Sequence, residues 1–167
     1  MILDPAIVHR LRFLLRVVRR EADHPSLTDA RLFSEPFTVE RAEHLLADPD
    51  LAERVEAFVG RFARLQDTLG DKALPLILSA LGERSGVAID NLDLAERLGF
   101  VDSVDDWLAM RALRNQMVHE YVEDLAILTS ALASAHAFVP SLISAVIAIE
   151  REAERRLWLE DTGVGEK

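Results

Sequence analysis

The chain of 167 residues contains no cysteine, which excludes disulfides and every metal or redox chemistry built on thiolates. Glycine and proline are scarce, at seven and six, so the chain lacks the dense turn punctuation of many short strands. Positive charge is in deficit: 19 Lys and Arg against 29 Asp and Glu leave a formal charge of −10. That balance argues against non-specific nucleic-acid binding as the main activity. There is no Gly-rich phosphate loop and no recognisable Ser–His–Asp arrangement. A metal site reads poorly too. Glu21 and His24 have the Glu-x-x-His spacing of di-iron bundles, but in one copy that runs into Pro25. The N-terminus lacks the basic, apolar, small-residue order of a secretory signal, because its arginines interleave with apolar residues. A cytoplasmic protein without a cofactor is expected.

What is present points to helices. Half the residues are apolar, 29% are charged, and Ala, Leu, Glu and Arg dominate. The fold expected is all-α, an up-and-down bundle of five to six helices over residues 1–159, followed by a frayed tail at 160–167. The first helix should run from Pro5, capped by Asp4, to about Ala22, and residues 23–37 read as a loop. A short helix follows at 39–47, capped by Thr38. A long one at 51–69 is capped by Asp50, with Gly70-Asp71 as a break before 72–82. Asn91 caps a brief helix ending at Gly99. Ser103, with Asp106 three residues on, opens the next. The last region spans 124–158, bent near Pro140.

Two features concern surfaces. Residues 1–20 hold five arginines and one aspartate, +4, which leaves −14 for the rest. Arg12, Arg16, Arg19 and Arg20 lie opposite the apolar face of the first helix. They form either a solvated charged face or a contact surface for RNA or an acidic partner. Leu125–Ile149 has no Asp, Glu, Lys or Arg over 25 residues, long enough to span a bilayer. Its five Ser/Thr, one His and one Pro, without flanking basic clusters, favour a helix buried on all sides in the bundle or at a subunit interface. No membrane association is expected.

Arg114 is the anomaly. Trp107, Met110, Met117, Val118 and Tyr121 stand at −7, −4, +3, +4 and +7 from it, so it lies inside the stripe that a helix would bury. A buried guanidinium needs an anion. His119 follows five residues later, then Tyr121, the one tyrosine of the chain. The spacing Arg-x4-His alone is weak, since Arg19 and His24 repeat it. The copy at 114–119 adds Asn115, Tyr121 and a helical context.

The string Arg114-Asn115-Gln116-Met117-Val118-His119-Glu120-Tyr121 resembles the signature of HEPN domains, and most closely of the HEPN toxins encoded beside minimal nucleotidyltransferases. Arg64-Leu65-Gln66-Asp67-Thr68-Leu69-Gly70-Asp71-Lys72, followed by Pro75, is similar to a segment of the branch once labelled nucleotidyltransferase substrate-binding proteins. The resemblance covers roughly residues 5–158. It implies a homodimer whose Arg/His motifs share a cleft, metal-independent cleavage of an RNA substrate, and a nucleotidyltransferase antitoxin that transfers AMP to the tyrosine at the position of Tyr121.

The chemistry is coherent with those residue types. An imidazole, His119, moves protons near neutral pH, helped by a helix dipole if it falls in a last turn. A guanidinium, Arg114, neutralises a phosphorane-like charge without losing its proton. Asn115, one turn before His119, orients the ring. On an ideal helix, however, Arg114 and His119 are separated by roughly 140°. A curled arginine, a helix end or a second subunit must bring them together. Two other readings remain: a non-catalytic binding subunit of a nucleotidyltransferase complex, and a helical dimerisation module in which Arg114 pairs with Asp67 or Asp71.

Overall fold

The computed structural model describes residues 4–119, 124–156 and 158, with the side chains of Val118 and His119 left out; the tail at 160–167 lies outside them. It is an all-α bundle. The helices are α1 (Pro5–Leu32), α2 (Val39–Glu43), α3 (Pro49–Thr68), α4 (Leu74–Ala80), α5 (Ala88–Arg97), α6 (Val104–His119) and α7 (Leu125–Arg155). A π-helical turn, Leu69–Ala73, joins α3 to α4 without a break, so the described residues form six helical rods.

Several expected boundaries are corrected. The first helix does not end at Ala22 but runs ten residues further, through Pro25. Ala22, Pro25, Thr28 and Leu32 are all buried and extend the stripe at helical spacing, so packing outweighs the lost backbone hydrogen bond. Hydroxyls take up nearby carbonyls: Ser26 Oγ donates to the Ala22 carbonyl at 3.0 Å and Thr28 Oγ1 to that of His24 at 2.8 Å. The short helix stops at Glu43 rather than residue 47. Asp48, not Asp50, caps α3, accepting from the Leu51 amide at 3.0 Å, because Pro49 suits the first helical position.

Gly70-Asp71 does not interrupt the chain. Pro75 offers no N–H to the Asp71 carbonyl, and the widened π turn ahead of it accommodates the ring. Asn91 sits inside α5, not at its start. It is buried, and its amide bonds the Gly86 N–H at 2.9 Å and carbonyl at 3.2 Å. Gly82 (φ 82°) and Gly99 (φ 79°) close α4 and α5. In each case the next amide returns to a carbonyl five residues back, Glu83 to Leu78 at 3.0 Å and Phe100 to Ala95 at 2.8 Å, a left-handed ending that suits glycine.

Aromatic rings chain the rods together. Phe33 meets Phe58 at 5.4 Å between centroids, Phe58 meets Phe62 at 6.0 Å, Phe62 meets Phe138 at 6.3 Å and Phe138 meets Trp107 at 6.1 Å. The chain links the end of α1 to α3, α7 and α6. Helix α7 continues without a break through Pro140 to Arg155, long and apolar enough by length and composition to cross a membrane. It is not buried on all sides within one chain. Leu128, Leu132, Ala135, Phe138, Leu142 and Ile149 face the core, while Ala126, Ser130, Ala133, Ala137 and Ser144 are exposed. Alanine and serine suit either setting, so composition alone did not separate the faces.

Candidate functional site

Helix α6 begins where Ser103 predicts. Its Oγ accepts the Asp106 amide at 3.1 Å, and Glu96 of α5 accepts the Val104 amide at 2.6 Å. These contacts set the rotation of α6. Trp107 and Met117 are almost wholly buried and Met110 nearly so, which places Arg114 on the inner flank as expected. Its side chain is 17% exposed.

The anion that Arg114 requires is Asp67, near the end of α3. Arg114 Nη1 donates to Asp67 Oδ1. One turn on, Arg111 Nη2 donates to both oxygens of Asp71, at 2.9 and 3.0 Å. The order of the two rungs, 67 with 114 and 71 with 111, requires α6 to run antiparallel to the end of α3 and the π turn. Between the rods lies Gln66, 1% exposed, whose Nε2 donates to the Trp107 carbonyl at 3.3 Å. Its Oε1 is buried without a partner among the described residues.

The two stretches singled out in the sequence, 64–72 and 114–121, therefore meet at the Arg114–Asp67 pair. The Asp67 carboxylate is 46% exposed, so the pair stands at the rim of the bundle. An anion arriving from solvent can compete with Asp67 for the guanidinium. Asn115 is exposed on the next position of α6. His119 is the last described residue of that helix, and its side chain, like the whole of Tyr121, lies outside the described residues.

The basic face of α1 is partly committed. Arg12, Leu15, Arg16, Arg19, Arg20 and Glu150 line a hollow of about 440 Å³. Arg19 makes a two-point ion pair with Glu150 of α7, Nε to Oε1 at 2.9 Å. Arg12 Nε donates to the carbonyl of Trp158. Arg16 and Arg20 are exposed. The face is half structural staple, half open cation.

Three features escaped the sequence reading. His136 of α7 donates from Nδ1 to Asp29 Oδ1 at 2.7 Å and stacks on Phe33 at 4.1 Å. Glu152 binds Arg155 and Arg156 together; the hydrogen bond from Arg155 is the main reason its carboxyl lies below the ordinary value. Arg31, Arg54 and Arg61 line one hollow. Local periodicity signals only the i,i+3 and i,i+4 pairs of Glu152; the other two features join residues 33 and 107 positions apart or on separate helices. None of the family models, curated proteins or solved structures compared with the chain matches it.

Proposed function

We propose that the chain is a HEPN-type ribonuclease toxin, a cytoplasmic homodimer that cleaves RNA without a metal and is silenced by a minimal nucleotidyltransferase that adenylylates Tyr121. The observation that carries this reading is the Arg114–Asp67 pair, formed between the two stretches whose sequence resembles that family. A guanidinium fixed at the bundle rim by a half-exposed carboxylate is a preorganised phosphate receptor.

In the proposed reaction His119 takes the proton of an RNA 2′-hydroxyl, or returns one to the leaving 5′-oxygen, as the new P–O bond forms and the old one breaks. Arg114 balances the charge of the pentacoordinate phosphorus. Asn115, one turn before His119 and exposed, hydrogen-bonds and orients the imidazole. The second subunit supplies the other half of the cleft, which meets the 140° separation of Arg114 and His119. Arg16 and Arg20, with Arg12 and Arg19 beside them, hold the flanking RNA or the antitoxin. AMP on Tyr121 places a phosphate within reach of Arg114 and excludes substrate.

The test is cleavage of RNA by the purified protein in EDTA. Arg114→Ala and His119→Ala should each lower the rate by about 10²–10³-fold. Equal cleavage by all three proteins discards the assignment.

A second reading is supported by the net charge of −10 and by the tie of Arg114 to Asp67: a non-catalytic, substrate-presenting subunit of a nucleotidyltransferase complex. Co-purification with such an enzyme, without growth arrest on overproduction, favours it.

A further inference from the structure

Away from Arg114, the C-terminal half of α1 and the N-terminal half of α3 enclose a hollow of about 570 Å³. It is lined by Leu27, Thr28 and Arg31 on one side and by Asp50, Glu53, Arg54, Ala57 and Arg61 on the other. Its volume falls within the range of small-molecule pockets. Neither reading above uses it.

The charges here are arranged unusually. Arg61 Nη1 donates to Thr28 Oγ1, and Thr28 is itself buried, with its own proton given to the His24 carbonyl at 2.8 Å. The hydroxyl can therefore only accept from Arg61, which fixes the guanidinium without neutralising it. Arg54 lies seven residues before Arg61, two turns or about 10.5 Å along the same face of α3. Arg31 faces both from α1. Among the described residues none of the three forms an ion pair, and Asp50 and Arg54, one turn apart, do not pair either. Three guanidiniums left unneutralised around one hollow form a receptor for a multivalent oxyanion, and planar forks suit phosphate.

The same rim carries Asp50 and Glu53. Their carboxylates would repel a continuous polyanion such as an RNA backbone. They accept hydrogen bonds, and the vicinal hydroxyls of a ribose donate them, a pairing that acidic side chains make in dinucleotide-binding folds. Leu27 and Ala57 offer the apolar surface for a base. We infer that this hollow is a binding site for a phosphorylated ribonucleoside, with Arg31, Arg54 and Arg61 on the phosphates and Asp50 and Glu53 on the sugar.

The test is titration of the full chain with adenosine 5′-diphosphate by calorimetry. Saturable binding is expected, weakened at least tenfold by Arg54→Ala and by Arg61→Ala. It should weaken several-fold with the 2′,3′-dideoxy analogue and with pyrophosphate alone. Thr28→Val, which keeps the shape and removes the acceptor, should weaken it without loss of helicity, and Arg31→Ala provides a second surface variant whose folding is not at risk. Arg114→Ala and His119→Ala should leave the affinity unchanged, so failure of the nuclease reading and failure of this one are separable. No saturable binding at millimolar nucleotide overturns the inference. So does affinity indifferent to the arginine variants, or a single-stranded oligoribonucleotide that binds the hollow more tightly than the nucleotide.

Discussion

At the scale of single residues, Arg114 carries the argument. Its position inside an apolar stripe, and its need for an anion, were legible from spacing alone. That the anion is Asp67 was not, because 47 positions separate them and Asp71 satisfied the sequence equally well. With the carboxylate 46% exposed, the pair contributes under about 1 kcal/mol to stability, and in the proposed reaction its role is to aim the guanidinium. Asp67→Asn should lower RNA cleavage by about tenfold, and Asp67→Asn combined with Arg114→Ala should be no slower than Arg114→Ala alone. Independent, multiplying effects in that rate comparison would show that Asp67 does not act through Arg114. Glu152 makes a pH-dependent contribution of its own. Its carboxyl is lowered from 4.5, first by the hydrogen bond from Arg155. A depressed folded-state value means stability present above the unfolded value and lost as pH falls through the folded one. Thermal unfolding should therefore separate Glu152→Gln from the parent by about 1–3 °C at neutral pH and bring them together in acid. A constant gap over the whole range would contradict the pair.

At the scale of elements, three of the expected caps hold, Asp4, Thr38 and Ser103, each accepting a first-turn amide, because that chemistry is local. Asp50 and Asn91 do not, since Asp48 caps α3 and Asn91 lies inside α5. Asp124 is a cap that the sequence reading did not name. Pro25, Gly70 and Pro140 look like breaks in a sequence and all sit within helical stretches. Each lies on a rod held against its neighbours along its length, and packing over several turns exceeds the loss of one hydrogen bond. Gly60 is the converse case. It is exposed in the middle of α3, and a Cβ there would meet nothing within 4 Å. Gly60→Ala should stabilise the protein by about 0.5–1 kcal/mol, read as a rise in denaturation midpoint at unchanged slope. A loss of stability would mean that this face of α3 is covered by something else.

At the scale of the whole molecule, α7 offers the surface on which the proposed homodimer would form. Its exposed positions include Ala126, Ser130, Ala133, Ala137 and Ser144 beside Ile127, His136 and Pro140. There is no Asp, Glu, Lys or Arg between Leu125 and Ile149, and the small side chains admit a close helix–helix approach. For the proposed homodimer this face is the contact. Ala133→Arg, at an exposed position, should convert dimer to monomer in sedimentation velocity while helicity is kept. A dimer that survives the substitution assigns the contact to another surface.

The amino-acid order by itself determined the helical class, most helix starts, the stripe that buries Trp107 and Met117, and the strain of an arginine within it. Those follow from propensity, capping and period, which act over a few residues. Tertiary structure alone decided that Asp67 answers Arg114, that Arg12 and Arg19 are tied down while Arg16 and Arg20 stay open, and that Arg31, Arg54 and Arg61 converge. Each of these is a meeting of side chains whose separation along the chain has no bearing on their distance in space.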